Sequence, residues 1–176
     1  MITEPRNNTP MDTRDVRLRT HQAGDIGWVI SQHGEIYARE YGWDIRFESF
    51  VARIAADFVD QFDAEREVCF LAVRGDGANE ERLGCAFVVK QDAAVAKLRM
   101  VILVPQARGL GIGKTLVRAC IEFARGKGYQ RMALWTNDVL HAARAIYVAE
   151  GFALIGEERH HSFGRDLVGQ HWERTL

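Results

Sequence analysis

The stretch "VPQARGLGIGKTLV", Val104 to Val117, decides how the rest of this sequence is read. It ends in Gly-Lys-Thr behind a glycine-rich run, as a nucleotide-phosphate loop does. The spacing refuses that reading. A P-loop requires a glycine five residues before the one that precedes its lysine, and counting back from Gly113 reaches Arg108. The dinucleotide pattern G-x-G-x-x-G fails too, because Lys114 stands where the third glycine belongs after Gly109 and Gly111. What remains is R-G-x-G-x-G-K. Gly109, Gly111 and Gly113 lack a Cβ, so backbone can approach a ligand closely. Ile112, Leu116, Cys120 and Phe123 then recur at helical spacing. The loop therefore opens onto a helix N-terminus, whose free N–H groups and dipole favour a phosphate or pyrophosphate. A helix start that uses glycines only for close packing is the competing reading.

Outward from the loop, "VAKLRMVILV" (Val95–Val104) reads as a strand ended by Pro105. Before it, "VCFLAV" (Val68–Val73) and "LGCAFVV" (Leu83–Val89) form an antiparallel pair around the turn-rich "RGDGANEER". After it, the helix runs to about Lys127 and ends at Gly128. "RMALWT" (Arg131–Thr136) is a strand, "HAARAIYVAEG" a short helix closed by Gly151, and "FALIGEERHH" and "GQHWERTL" two last strands around "SFGRDL". At the other end, "VRLRT" (Val16–Thr20) is a first strand, and a helix with Asp25 as its cap runs to Tyr41, where "GWD" breaks it. A second helix carries Phe47, Phe50, Val51, Ile54, Phe58 and Phe62 on one stripe, read as core packing. The order predicts an α+β (α/β three-layer) fold: a mixed, mainly antiparallel central sheet of about seven strands flanked by about four helices.

With 176 residues, a single domain over 16–176 behind a mobile N-terminal tail of 1–15 is expected. A net charge of −1 gives no basic field to draw the chain to nucleic acid or a membrane surface. No apolar run is long enough to span a bilayer, and the first fifteen residues lack the apolar stretch of a secretory signal. Cys69, Cys85 and Cys120 are odd in number and flanked by apolar residues, which reads as reduced core thiols and a cytoplasmic location. His160 and His161 are strand neighbours that point to opposite faces, and no H-x-x-x-H spacing accompanies them, so no metal is expected.

In element order and in motifs together, the sequence from Val16 to Leu176 resembles the GNAT superfamily of N-acetyltransferases. Its R/Q-x-x-G-x-G/A loop is matched by Arg108, Gly109, Leu110, Gly111, Ile112 and Gly113. A second string follows at the right distance: Asn137, Ala142–Ala143, Tyr147 and Gly151–Phe152. "HHSFGRDLVGQHWE" and "GDIGWVISQHGEIYAREYGWD" resemble one branch, acetyltransferase domains often fused behind a MarR-type helix-turn-helix domain. Only about fifteen residues precede the first strand, so the expectation is an acetyltransferase without that DNA-binding domain.

The resemblance implies acetyl-CoA as cosubstrate, with its pyrophosphate on Arg108–Gly113. Lys114 either adds charge there or is a solvated first-turn lysine. The strand end Val101, Ile102, Leu103 and Val104 would pair with the pantetheine amides, with the Leu103 N–H facing the thioester oxygen. Asn137 would hydrogen-bond pantetheine or its water, and Tyr147 would donate a proton to the departing thiolate. The implied reaction is acetyl transfer to a primary amine by direct attack in a ternary complex. A non-catalytic acyl-CoA sensor is the alternative.

A primary ammonium near pKa 10.4 costs roughly 4–5 kcal/mol to deprotonate at neutral pH, so a base is expected. Among the carboxylates of the first two helices, Glu35, Glu40, Asp44 and Glu48 are candidates, with Glu48 favoured at the start of the second helix. Tyr41 and Trp43 would line a pocket for an organic cation or serve as rim aromatics. A small-molecule or peptide amine is the expected partner, and the last strand could pair two copies as a homodimer.

Overall fold

A computed structural model describes residues 15–176. The expected tail lies outside the described residues except for Asp15. The strands are β1 (Arg17–Thr20), β2 (Val68–Arg74), β3 (Glu81–Lys90), β4 (Val95–Leu103), β5 (Arg131–Asn137), β6 (Ala153–Ser162) and β7 (Arg165–Thr175). They form one sheet in the order β1-β2-β3-β4-β5-β7-β6. Only β4 and β5 run parallel; the other neighbouring pairs are antiparallel. The helices are α1 (Asp25–Tyr41), α2 (Ile45–Asp60), α3 (Ile112–Gly126) and α4 (His141–Ala149). This is the mixed seven-stranded, four-helix architecture that the element order predicts.

Strand alternation divides the core. Ala72, Ala86, Val88, Ala96, Leu98, Met132 and Leu134 point to one face, where α3 packs through Leu116, Val117, Cys120 and Ile121. Cys69, Leu71, Val73, Cys85 and Phe87 point to the other, where α1 packs through Val29 and Ile36 and α2 through Phe58. A third cluster joins Trp43, Phe47 and Val51 to Leu167 of β7. All three cysteines are free and buried there, and burial pushes each thiol above its ordinary pKa. None is an available nucleophile.

Two local readings need correction. Asp25 is not the cap of α1. That position is Gly24 in a left-handed conformation, and Asp25 is the first helical residue. Its carboxylate is fully buried, where it accepts from Arg19 at 2.6 Å, Arg82 at 2.7 Å and the Gln22 N–H at 2.8 Å. The last turn is also shorter than "SFGRDL". Phe163 and Gly164, both at positive φ, close a two-residue hairpin, so β7 starts at Arg165.

One irregularity shapes the site. Across β3 and β4, Phe87 pairs with Arg99 but Cys85 pairs with Ile102, so two residues of β4, Met100 and Val101, stand opposite Ala86 alone. The extra residue falls at Met100, which takes φ 48, and Cys85 Sγ donates to its carbonyl at 3.3 Å. A bulge bends its strand and increases the local twist. The β4–β5 pairing runs from Val95↔Arg131 to Leu98↔Leu134 and stops there. Beyond it the two strands part, and the edge of β4 that faces β5 has no strand against it.

Candidate active site

Two cavities meet at this gap. The larger, of 320 Å³, is walled by α1 and α2, by Lys97–Val101 of β4 and by Trp135–Asn137 of β5. The smaller, of 140 Å³, is lined by Val101, Ile102 and Leu103 of β4, Arg108 and Gly113 of the loop, and Ala142, Ala143 and Ile146 around α4. Tyr37 and Tyr147 line both.

The loop has the features its sequence suggests. Gly109 and Gly111 take φ 75 and 78, which other residues adopt at a cost, and a Cβ at either would meet no atom within 4 Å. The space beside them is open. Gly111 begins α3 without a side-chain cap, and the first intrahelical N–H to find its partner is Thr115, bonded to Gly111 at 3.0 Å. The preceding N–H groups of the first turn are left for an anion. Gly113 answers a different need: a Cβ there would lie 2.9 Å from Ile146 and 3.2 Å from Leu103. Leu110 and Ile112 pack on the core beneath. Arg108 reaches over the smaller cavity and is held by Glu40 of α1 at 2.9 Å. Lys114 leans away toward Glu150 at 3.7 Å and lines neither cavity.

Tyr147 is buried on α4, and its hydroxyl makes no hydrogen bond among the described residues. Burial raises its pKa above the ordinary phenol range. The proton therefore stays on oxygen across neutral pH and is available to donate. Asn137, also buried, accepts at Oδ1 from His160 Nε2 at 2.9 Å, and His160 Nδ1 in turn faces the Ser162 hydroxyl at 2.9 Å. His161 points elsewhere, to Asp166 at 2.7 Å. Among the described residues no group of three His, Cys, Asp or Glu is arranged to hold a metal ion.

The carboxylates are not brought to the larger cavity. Glu48 is exposed on α2, its carboxylate lying over Gly34 of α1. Phe47, Phe50, Val51 and Ile54 face the cavity instead, and Glu48 stands about 100° round the helix from Phe47. Glu35 accepts from Ser31 on the exposed side of α1. Asp44 caps α2 and pairs with Arg46. Only Glu40 reaches either cavity, the smaller one, where it holds Arg108. Trp43 does line the larger cavity and Tyr41 the smaller.

Three basic wall residues, His33, Lys97 and Arg99, were among those not singled out from the sequence. His33 donates from Nδ1 to the Val29 carbonyl at 2.8 Å, which leaves Nε2 with its lone pair. Burial pushes its pKa down to about 4, so it is neutral at pH 7. Its signal was its spacing: Val29, His33 and Ile36 lie on one helix face.

Residues 26–152 match the model of the acetyltransferase (GNAT) family, and the chain belongs to that family. Human N-acetyltransferase 8B is 39% identical over 64 residues, 36% of this chain and 28% of that protein. Mouse N-acetyltransferase family 8 member 7 is 25% identical over 125 residues, 69% of this chain and 54% of that protein. The chain thus spans about a quarter to a half of the length of these curated relatives. Among solved structures, a Staphylococcus aureus Mu50 acetyltransferase of the GNAT family superposes with a TM-score of 0.72 at 18% identity, covering 92% of this chain and 99% of that one. Spermidine N-acetyltransferase from Vibrio cholerae, solved with CoA and spermine, gives 0.70 at 17% over 92% and 96%. A Salmonella typhimurium protein solved with its cofactor acetyl-CoA gives 0.69 at 16% over 92% and 94%. Among the described residues no helix is long and apolar enough to cross a membrane.

Proposed function

We propose that the chain transfers an acetyl group from acetyl-CoA to a primary amine by direct attack within a ternary complex. The observation that carries this reading is the meeting of the two cavities at the β4–β5 gap, with an unpartnered, protonated tyrosine at the junction. The smaller cavity suits the donor. Its mouth has Arg108 and the uncapped first turn of α3 for a pyrophosphate, and its wall is the unpaired edge of β4 at Val101–Leu103 for an extended amide chain. The Leu103 N–H is the candidate oxyanion donor, and Val104, next along, bonds back to Leu83 at 2.9 Å. Acetyl-CoA, when bound, supplies an activated acyl thioester.

The larger cavity suits the amine. Its walls favour the neutral form of a bound amine through burial and through the like charges of Lys97 and Arg99. An amine held neutral has given its proton to solvent on entry, so the transfer needs no carboxylate in the cavity and Glu48 on the outer surface takes no part in it. Tyr147 holds the compensating proton. A free thiol titrates near 8.5, below a buried phenol, so Tyr147 acts first as a hydrogen-bond donor to the departing sulfur.

The test is release of free thiol from acetyl-CoA in the presence of a panel of primary amines. Tyr147→Phe keeps the ring and removes the hydroxyl. We expect kcat to fall by roughly 10²–10⁴ while the Kd for CoA, read by calorimetry, stays within about twofold. Binding of CoA without thiol release from any amine favours the sensor alternative. Full activity in the Phe variant removes Tyr147 from the chemistry.

A further inference from the structure

Lys97 and Arg99 alternate with Leu98 on β4, so both point to the face covered by α1 and α2. Both line the larger cavity and both are partly buried. Neither forms a salt bridge or a side-chain hydrogen bond among the described residues. The carboxylates nearest this wall are committed elsewhere or stand off. Glu158 accepts from the Trp135 indole at 3.2 Å and pairs with His171 at 3.4 Å. Asp57 of α2 acts on Arg99 through space without an ion pair. Among the described residues no Asp or Glu lines the cavity. Besides His33, Thr136 and Asn137, the remaining lining is aromatic and aliphatic, with Phe47, Phe50 and Ile54 from α2 and Trp135 from β5.

Two partly desolvated cations without an ion-pair partner among the described residues are unfavourable in the empty site. Burial lowers the pKa of both, and Arg99 lowers that of Lys97 further. Such an arrangement is stabilised by a bound oxyanion, which restores to each cation the charge-assisted hydrogen bond that the fold withholds. It is correspondingly hostile to a second ammonium.

We infer that the acceptor is an amine that also carries an oxyanion, seated on Lys97 and Arg99, with an apolar body against the α2 aromatics. This rests on the acetyltransfer reading for the reaction, but the recognition itself is a binding property. A polyamine, the substrate class in the name of the Vibrio cholerae structure, is the class this cavity rejects.

The experiment uses matched amines: phenylalanine and 4-(aminomethyl)benzoate, their carboxamides, the phosphonate analogue of phenylalanine, benzylamine and spermidine. Each is measured by thermal shift and calorimetry on the wild-type chain, and by thiol release with acetyl-CoA. At least one acid is expected to bind and react about tenfold or more better than its amide, with spermidine inactive. Carboxylate and phosphonate arms tell which oxyanion is preferred. In Lys97→Gln and Arg99→Gln the acid-to-amide ratio should fall toward one. Lys97→Glu should shift preference toward the amide or a diamine. Efficient use of spermidine or of the amides by the wild type overturns the inference while leaving acetyltransfer intact, as does an acid preference that survives both Gln variants. Acid-selective binding that Lys97→Gln abolishes, with no thiol released, upholds the inference and sinks the acetyltransfer reading instead.

Discussion

Two sets of basic residues lie beneath α1, and the protein treats them differently. At its N-terminal end Arg19 and Arg82 converge on the buried Asp25, with Glu80 adding 2.6 Å and 2.9 Å pairs to Arg19 and Arg17. Burial opposes the charge on Asp25, but Arg19 and Arg82 outweigh it and hold the carboxyl at about 2. On β4, Lys97 and Arg99 have no such partner among the described residues. The first set is complete within the chain and serves the fold. The second is incomplete within the chain, and incompleteness of that kind is how a ligand site differs from a structural one.

The comparison breaks most visibly at Asp25. Asp25→Asn leaves two arginines without their buried counter-charge and should cost about 3–5 kcal/mol in urea unfolding; a change below 1 kcal/mol would make the network ornamental. A smaller loss comes with acid. His33 is held neutral with its pKa depressed to about 4, so its contribution is present above about pH 6.5 and fades as pH falls to 4. Asp25, depressed to about 2, contributes above about pH 4 and fades below it. Stability should therefore fall in two stages, each of roughly 2–3 kcal/mol. His33→Gln should remove the upper stage and Asp25→Asn the lower. The smallest effect sharpens the contrast: Lys97→Met should leave stability unchanged or raise it by about 0.5–1 kcal/mol, because it removes a desolvated charge that nothing in the fold compensates. A loss of 2 kcal/mol or more would give Lys97 the same standing as Arg19.

Much of this molecule could be read before it was seen, wherever local chemistry decides. The end of α1 at Tyr41 came from the glycine that follows it, while its start was read one residue late, with Asp25 taken as the cap. The loop between β4 and α3 came from its three glycines, two of which take positive φ. The misreadings share a cause. Glu48 was favoured for its position along α2, yet its rotation about the axis carries it outward. Met100 opens the site by a bulge in a strand whose sequence, "VAKLRMVILV", has no glycine to announce one. The stripe was read as core, which Phe47, Val51 and Phe58 are, but Phe47, Phe50, Val51 and Ile54 also line a cavity that the stripe alone does not reveal. Lys97 and Arg99 were visible as an i, i+2 pair, but only the tertiary fold shows what covers them.

The hairpin tip carries a consequence for assembly. Phe163 accepts from the Asp44 N–H at 3.1 Å and lies 5.3 Å from Trp43 and 5.0 Å from Phe47, ring to ring. Trp43 and Phe47, which line the larger cavity, are thus backed by a contact between segments more than a hundred residues apart. Closing so long a loop carries an entropic cost that local contacts do not. Strands β2 to β4 and α3 can form from neighbouring pieces of chain, whereas the backing of Trp43 and Phe47 comes only when the last hairpin has folded back onto the first two helices. Before that step the glycine loop can already be in place while two aromatic lining residues of the larger cavity still lack their backing.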